Sequence, residues 1–157
     1  MKVHVLERTQ GVAAPLDEVF PFFAAPANLG VITPPGMGFR ILTPPPLVMK
    51  EGAVIDYVVT VGGLPMRWRT LITCYDPPHR FVDEQIMGPY SFWHHTHTFA
   101  PRPDGGTDLG DVVRYALPLG PLGDLAHALA VRRQIEGIFR YRREVIAQRF
   151  GLAGENA

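Results

Sequence analysis

The chain has 157 residues, 46% apolar and 19% charged, enough to bury one core and too few for two domains of ordinary size. Fifteen basic and fifteen acidic side chains give zero formal charge, which argues against nucleic acid as a partner, because that class carries a basic excess. Cys74 is the single cysteine, so no intrachain disulfide can form and a reducing compartment suits the chain. With no leader-like start and no run of about 18 apolar residues, a cytoplasmic location without a membrane span is expected.

In chain order, Lys2 to Val12 is a β-branched, partly alternating run that predicts a strand. Pro15 opens a helix in which Leu16, Val19, Phe20 and Phe23 fall at helical spacing. Pro21 removes one backbone bond there and clashes with the carbonyl of Asp17, so this helix should be short or kinked. Pro26 starts a second short helix that Thr33-Pro34-Pro35-Gly36 ends. Strands follow at Phe39–Thr43, Ala53–Val61 and Met66–Tyr75, with turns at Gly62-Gly63 and Asp76–His79. In the third of these, Trp68, Thr70, Ile72 and Cys74 share one face and Arg67 and Arg69 the other.

Phe81 to Phe99, FVDEQIMGPYSFWHHTHTF, then reads as two strands joined at Gly88-Pro89. Pro103–Gly106 is a further hairpin turn, and Gly110–Leu117 is the last strand. After the break at Leu119–Gly123, a long helix runs from about Pro121 to Phe150, with Leu122, Leu125, Leu129, Ile135, Phe139, Ile146 and Phe150 as its apolar stripe. Arg132, Arg133, Arg140, Arg142, Arg143 and Arg149 read as its solvated face. The order of elements is that of an α+β domain spanning 1–151, a curved antiparallel sheet covered by the terminal helix, with 152–157 as a flexible tail.

The 81–99 hairpin concentrates ionisable and aromatic groups, which marks a site. Alternation puts Trp93, His95, His97 and Phe99 on one face, the larger and more aromatic one, which should point inward. A tight turn at 103–106 sets Phe99 near Thr107 and His95 near Asp111. From the other side Asp83 approaches His95, or Glu84 does if the register slips by one. A carboxylate bonded to an imidazole fixes its tautomer and raises its basicity, so His95, Asp83 and Asp111 are the candidate catalytic residues. The bland alternative is a structural hydrogen-bond network. Tyr57, Trp68, Thr70, Glu84, Gln85, Trp93, His97 and Tyr115 are the candidate ligand-binding residues, aromatics for contact area and polar groups for orientation.

His95-x-His97 could also form a metal pair with Asp83, Glu84 or Asp111, but His94 beside them speaks more of composition than of geometry, and no metal is expected. No cofactor is expected either. Gly62-Gly63 and Gly105-Gly106 read as turns rather than phosphate loops, Cys74 has no CxxC partner, and Ser91 has no nucleophile-elbow context.

PLDEVFPFFAAPANLGVITPP, PMRWRT, DPPHRFVDEQ, GPYSFWHHTHTF, the Gly-Gly-Thr turn at 105–107 and LPLGPLGDLA resemble the SRPBCC superfamily over Val3 to Phe150. That superfamily is the helix-grip group of START lipid-transfer domains, birch-pollen-type allergens and polyketide cyclase/aromatases. More narrowly the chain is similar to a bacterial cyclase/dehydrase-like, ligand-binding subgroup. The resemblance implies a helix-grip fold, two short N-terminal helices and a curved sheet around a long C-terminal helix, with an internal cavity. The expected function is binding of a hydrophobic small molecule, lipid-like or cyclic. The alternatives are a cyclase, dehydratase or isomerase using a cavity histidine as acid/base, and a protein-interaction module.

Overall fold

A computed structural model describes residues 1–61 and 63–154. Its seven strands form one antiparallel sheet in the order β1-β7-β6-β5-β4-β3-β2. The strands are β1 (His4–Val12), β2 (Arg40–Ile41), β3 (Val54–Val61), β4 (Leu64–Asp76), β5 (Arg80–Met87), β6 (Phe92–Pro101) and β7 (Thr107–Ala116). β2 to β7 are consecutive neighbours, as short connections dictate, and β1 closes on β7. Two register shifts where β4 meets β5, at Arg69/Thr70 and Ile72/Cys74, bend the sheet where its concave face receives the helices.

α1 (Leu16–Phe23) is a short helix with Pro21 inside it. Pro15 stands at its N-cap rather than at its first helical position, and no side chain caps the free N–H groups of the first turn. The second expected helix is a 3₁₀ turn, Pro26–Gly30, and another such turn covers Pro35–Met37. The strand expected at Phe39–Thr43 shrinks to two residues, because the prolines at 44–46 stop the ladder. Of the Gly62-Gly63 turn, Gly63 has φ of 82°, while Gly62 lies outside the described residues.

The terminal helix departs most from expectation. α2 (Pro121–Ala126) passes through a wide, π-type turn, His127–Val131, before α3 (Arg132–Phe150). The extra residue in that turn breaks the phase of the apolar pattern. Leu122, Leu125 and Leu129, expected in the buried stripe, are therefore 69%, 56% and 69% exposed. In α3 the buried residues are Ile135, Phe139, Arg142 and Ile146.

Two apolar clusters flank the sheet's concave face. One joins Val12, Val19, Phe20, Phe22, Phe81, Phe99 and Ile146, the other Leu6, Val113, Tyr115, Ile135 and Phe139. The first residue of the expected tail, Leu152, is part of the fold. Leu152 bridges Val12, and Ala13 and Ala14 donate to Gly151 and Phe150 at 3.1 Å, so the end of α3 is tied to the end of β1. Residues 155–157 of the expected tail lie outside the described residues.

Candidate functional site

Three adjacent strands carry the ionisable groups of the sheet's inner face. Asp83 on β5 pairs in register with His95 on β6, and His97 on β6 pairs with Asp111 on β7. The second pairing is two residues from the expected one, because the 103–106 turn is wider than a tight hairpin and Phe99 meets Leu109 rather than Thr107. The side-chain bonds nevertheless run diagonally. His95 Nε2–H donates to Asp111 Oδ1 at 2.7 Å, and His97 Nε2–H donates to Asp83 Oδ2 at 2.5 Å. The imidazoles stack with centroids 3.6 Å apart. Each carboxylate therefore faces one nitrogen of each ring: Asp83 Oδ2 lies 3.6 Å from His95 Nδ1, and Asp111 Oδ1 lies 3.6 Å from His97 Nδ1. Phe81 stacks on the other face of His97 at 4.1 Å, which holds the ring in place.

Arg142 of α3 closes the cluster from the helix side. Its Nη2 lies 3.6 Å from Asp111 Oδ1, and its guanidinium carbon sits 5.6 Å from the ring centres of both Phe23 and Phe139. It is 8% exposed, which corrects its expected place on a solvated face. The signal for it was in the spacing: residues 135, 139, 142 and 146 step by four, three and four, so Arg142 occupies a core position of the helix.

Burial sets the electrostatics. It is the largest single influence on Asp83 and Asp111 and pushes both upward. The nearby imidazoles and Arg142 outweigh it, so both carboxyls end below their ordinary range. For His97, burial and the neighbouring His95 act together against the charged form, and the Asp83 bond only partly offsets them, so its pKa falls to about 4. At neutral pH His97 is a neutral imidazole between two carboxylates. Burial, reinforced by the charge of Asp83, holds the Tyr57 phenol well above its ordinary value, so it remains a donor.

The cluster opens on a cavity of about 190 Å³ between the sheet and α3. Tyr57, Trp68, Thr70, Asp83, Trp93, His95 and His97 line it, as expected from alternation, and so does Tyr90 from the β5–β6 turn. Phe22, Phe23, Ile32, Ile135, Ile138 and Phe139 supply the apolar wall. The indole Nε1 of Trp68 is buried there without a hydrogen-bond partner among the described residues. Three expected binding residues are placed elsewhere. Glu84 sits on the opposite face of β5, across from His94, since the register did not slip. The amide of Gln85 donates to Tyr90 O at 2.7 Å and accepts from Tyr90 N at 3.1 Å, bracing the turn instead of lining the cavity. Tyr115 is 3% exposed in the second core cluster, 2.7 Å from His127 Nε2. Asp111 does not border the cavity. It borders a polar cleft of about 270 Å³ between β1 and α3, together with Arg8, Glu136, Arg140 and Arg143, and Arg142 lines both spaces.

Strand order, curvature and the helix across the concave face are matched in solved structures. A START superfamily protein from Mycobacterium smegmatis superposes with a TM-score of 0.67 at 16% identity, covering 92% of this chain and 98% of that one. The Zhui aromatase/cyclase from Streptomyces sp. R1128 gives 0.67 at 18% identity, with 94% and 96% covered. The chain has the helix-grip fold of the START and birch-pollen-allergen proteins. Norcoclaurine synthase from Thalictrum flavum, bound to a transition-state analogue, shares that helix-grip fold with a TM-score of 0.66 at 13% identity, 94% and 96% covered. No protein-family model matches the sequence, and no curated protein matches it. Within the helix-grip frame no helix of the described residues is long and apolar enough to cross a membrane, which says nothing of β-barrel spans.

Proposed function

We propose that the chain binds a small, hydrophobic, cyclic molecule in its cavity, with the molecule's polar end against Asp83 and His95. The observation that carries this reading is a buried carboxylate–imidazole cluster at the wall of a space otherwise lined by aromatic and aliphatic groups. Size narrows the class. A cavity of about 150 Å³ accommodates benzene, so about 190 Å³ suits one or two rings and is small for a long acyl chain. The unpartnered Trp68 Nε1 is a donor for such a ligand. Solved structures of the same fold include an aromatase/cyclase and a synthase holding a transition-state analogue, which is in keeping with a small-molecule site. A single unit spanning 1–151 and a reducing, cytoplasmic setting for the lone thiol of Cys74 are part of the same proposal.

Both tryptophans of the chain, Trp68 and Trp93, line the cavity, so intrinsic emission is the natural readout. Native mass spectrometry of the purified protein should show a retained small molecule. Titration with 2-naphthol should change tryptophan emission saturably at one site per chain. No retained mass together with no emission change up to the solubility limit would sink the reading.

One observation favours an enzyme as the second reading. Asp111 holds His95 through Nε2–H, so a neutral His95 presents Nδ1 beside Asp83 on the cavity side, the arrangement a general base requires. On that reading His95→Ala keeps ligand affinity and loses turnover by ~10²–10⁴-fold. The exposed leucines of α2 suit an interaction module, but the cavity is not what a packed module of this fold needs.

A further inference from the structure

We infer that Asp83, His95 and His97 form a binding site for one divalent transition-metal ion, with Asp111 holding both imidazoles from behind and the remaining coordination positions facing the cavity. The expectation of no metal drawn from sequence is thereby revised, and the reason is geometry that composition does not carry. One oxygen of Asp83 and one ring nitrogen from each histidine converge within 4.8 Å of one another. The gap from Asp83 Oδ2 to His95 Nδ1 is 3.6 Å. Ligands about 2.1 Å from a tetrahedral zinc stand about 3.4 Å apart, so that edge already fits. The shorter Asp83–His97 contact opens as the ion enters, and the ring proton of His97 passes from Nε2 to Nδ1, where Asp111 Oδ1 stands 3.6 Å away to receive it as a hydrogen bond.

A second observation points the same way. With His95 Nε2–H committed to Asp111, Nδ1 is the nitrogen that the neutral ring offers to a metal, and the side chain is 5% exposed. The buried ring nitrogen without a hydrogen-bond partner among the described residues is His97 Nδ1, toward Asp111, and the neutral His95 sets its own Nδ1 lone pair against the Asp83 oxygen at 3.6 Å. A cation between them relieves the repulsion. The outer group is also in place: a metal-bound histidine ordinarily donates its other N–H to a carboxylate, and His95 does so to Asp111 at 2.7 Å.

The two carboxylates differ in the way such a site needs. Asp83 lines the cavity and Asp111 does not. Arg142, the buried cation of the cluster, lies against Asp111, leaving the Asp83 side for the metal. Two nitrogens and one oxygen suit zinc, cobalt or ferrous iron better than magnesium or calcium. With three protein ligands the ion keeps a position for an oxygen of the cavity ligand and can polarise it. Only this last step rests on the proposed cavity binding. Metal uptake does not, so the two readings can fail separately.

The test uses the full chain, stripped with chelator and returned to metal-free buffer. Zinc titrated by calorimetry should bind at one equivalent, and cobalt should produce visible absorption of a low-coordinate nitrogen–oxygen site. Asp83→Asn and His97→Gln should lose that binding. Asp111→Asn should weaken it about 10–100-fold, and His94→Gln, on the outer face, should leave it unchanged. Circular dichroism identifies any variant that fails to fold, and the wild-type titration decides the matter without it. An absence of stoichiometric binding by the wild type overturns the inference. So does binding that survives in folded Asp83→Asn and His97→Gln but falls in His94→Gln, since a surface histidine would then be the ligand.

Discussion

His97 shows how far burial can shift a common group. Its neutral form is favoured in the fold, down to about pH 4, whereas an exposed histidine takes up its proton near 6.5. Between those values the unfolded chain holds a proton that the folded chain lacks, so stability rises with pH across that window and is lost as pH falls through it, by about 1.4 kcal/mol per unit. Asp83 and Asp111 act below that range. Their depressed values contribute stability above the ordinary carboxylate pKa, lost as pH falls through their folded values, so both classes of group make the fold acid-labile. Urea unfolding followed from pH 7 to pH 4 should show this slope, and His97→Gln should flatten it between 6.5 and 4. An unchanged slope would reject the assignment of a neutral buried His97.

At the scale of elements, strand alternation was legible and helix phase was not. The inward set on β6 could be read because a period of two leaves two choices, and aromatic weight decided between them. The β6–β7 register could not, because its turn length sets it, and 102–106 is a five-residue loop. The leucines of α2 matched helical spacing, but a single wide turn rotated them to the surface, and no residue type announces such a turn. This makes a direct prediction. Leu125→Ala should change the unfolding free energy from urea titration by less than about 0.5 kcal/mol. Ile135→Ala, 1% exposed after the turn, should cost roughly 2–5 kcal/mol. Equal losses for the two would mean that α2 packs against the body of the protein in solution.

For the whole molecule, the sequence indicated a sheet gripped by a helix and a polar cluster within it, while cavity size and the placement of Asp111 behind the cluster needed coordinates. Arg142 joins these levels, because one side chain forms part of two compartments, the aromatic cavity and the polar cleft beyond it. The guanidinium, beside the Phe139 ring that also borders both, stands as a plug between the two spaces. Arg142→Ala should turn the chamber into a tunnel with a back door beside Asp111. Release of 2-naphthol in stopped-flow displacement should then accelerate and become sensitive to salt, because the new exit is lined by Arg8, Arg140 and Arg143. A release rate equal to the wild type's would mean that the wall closes without the plug.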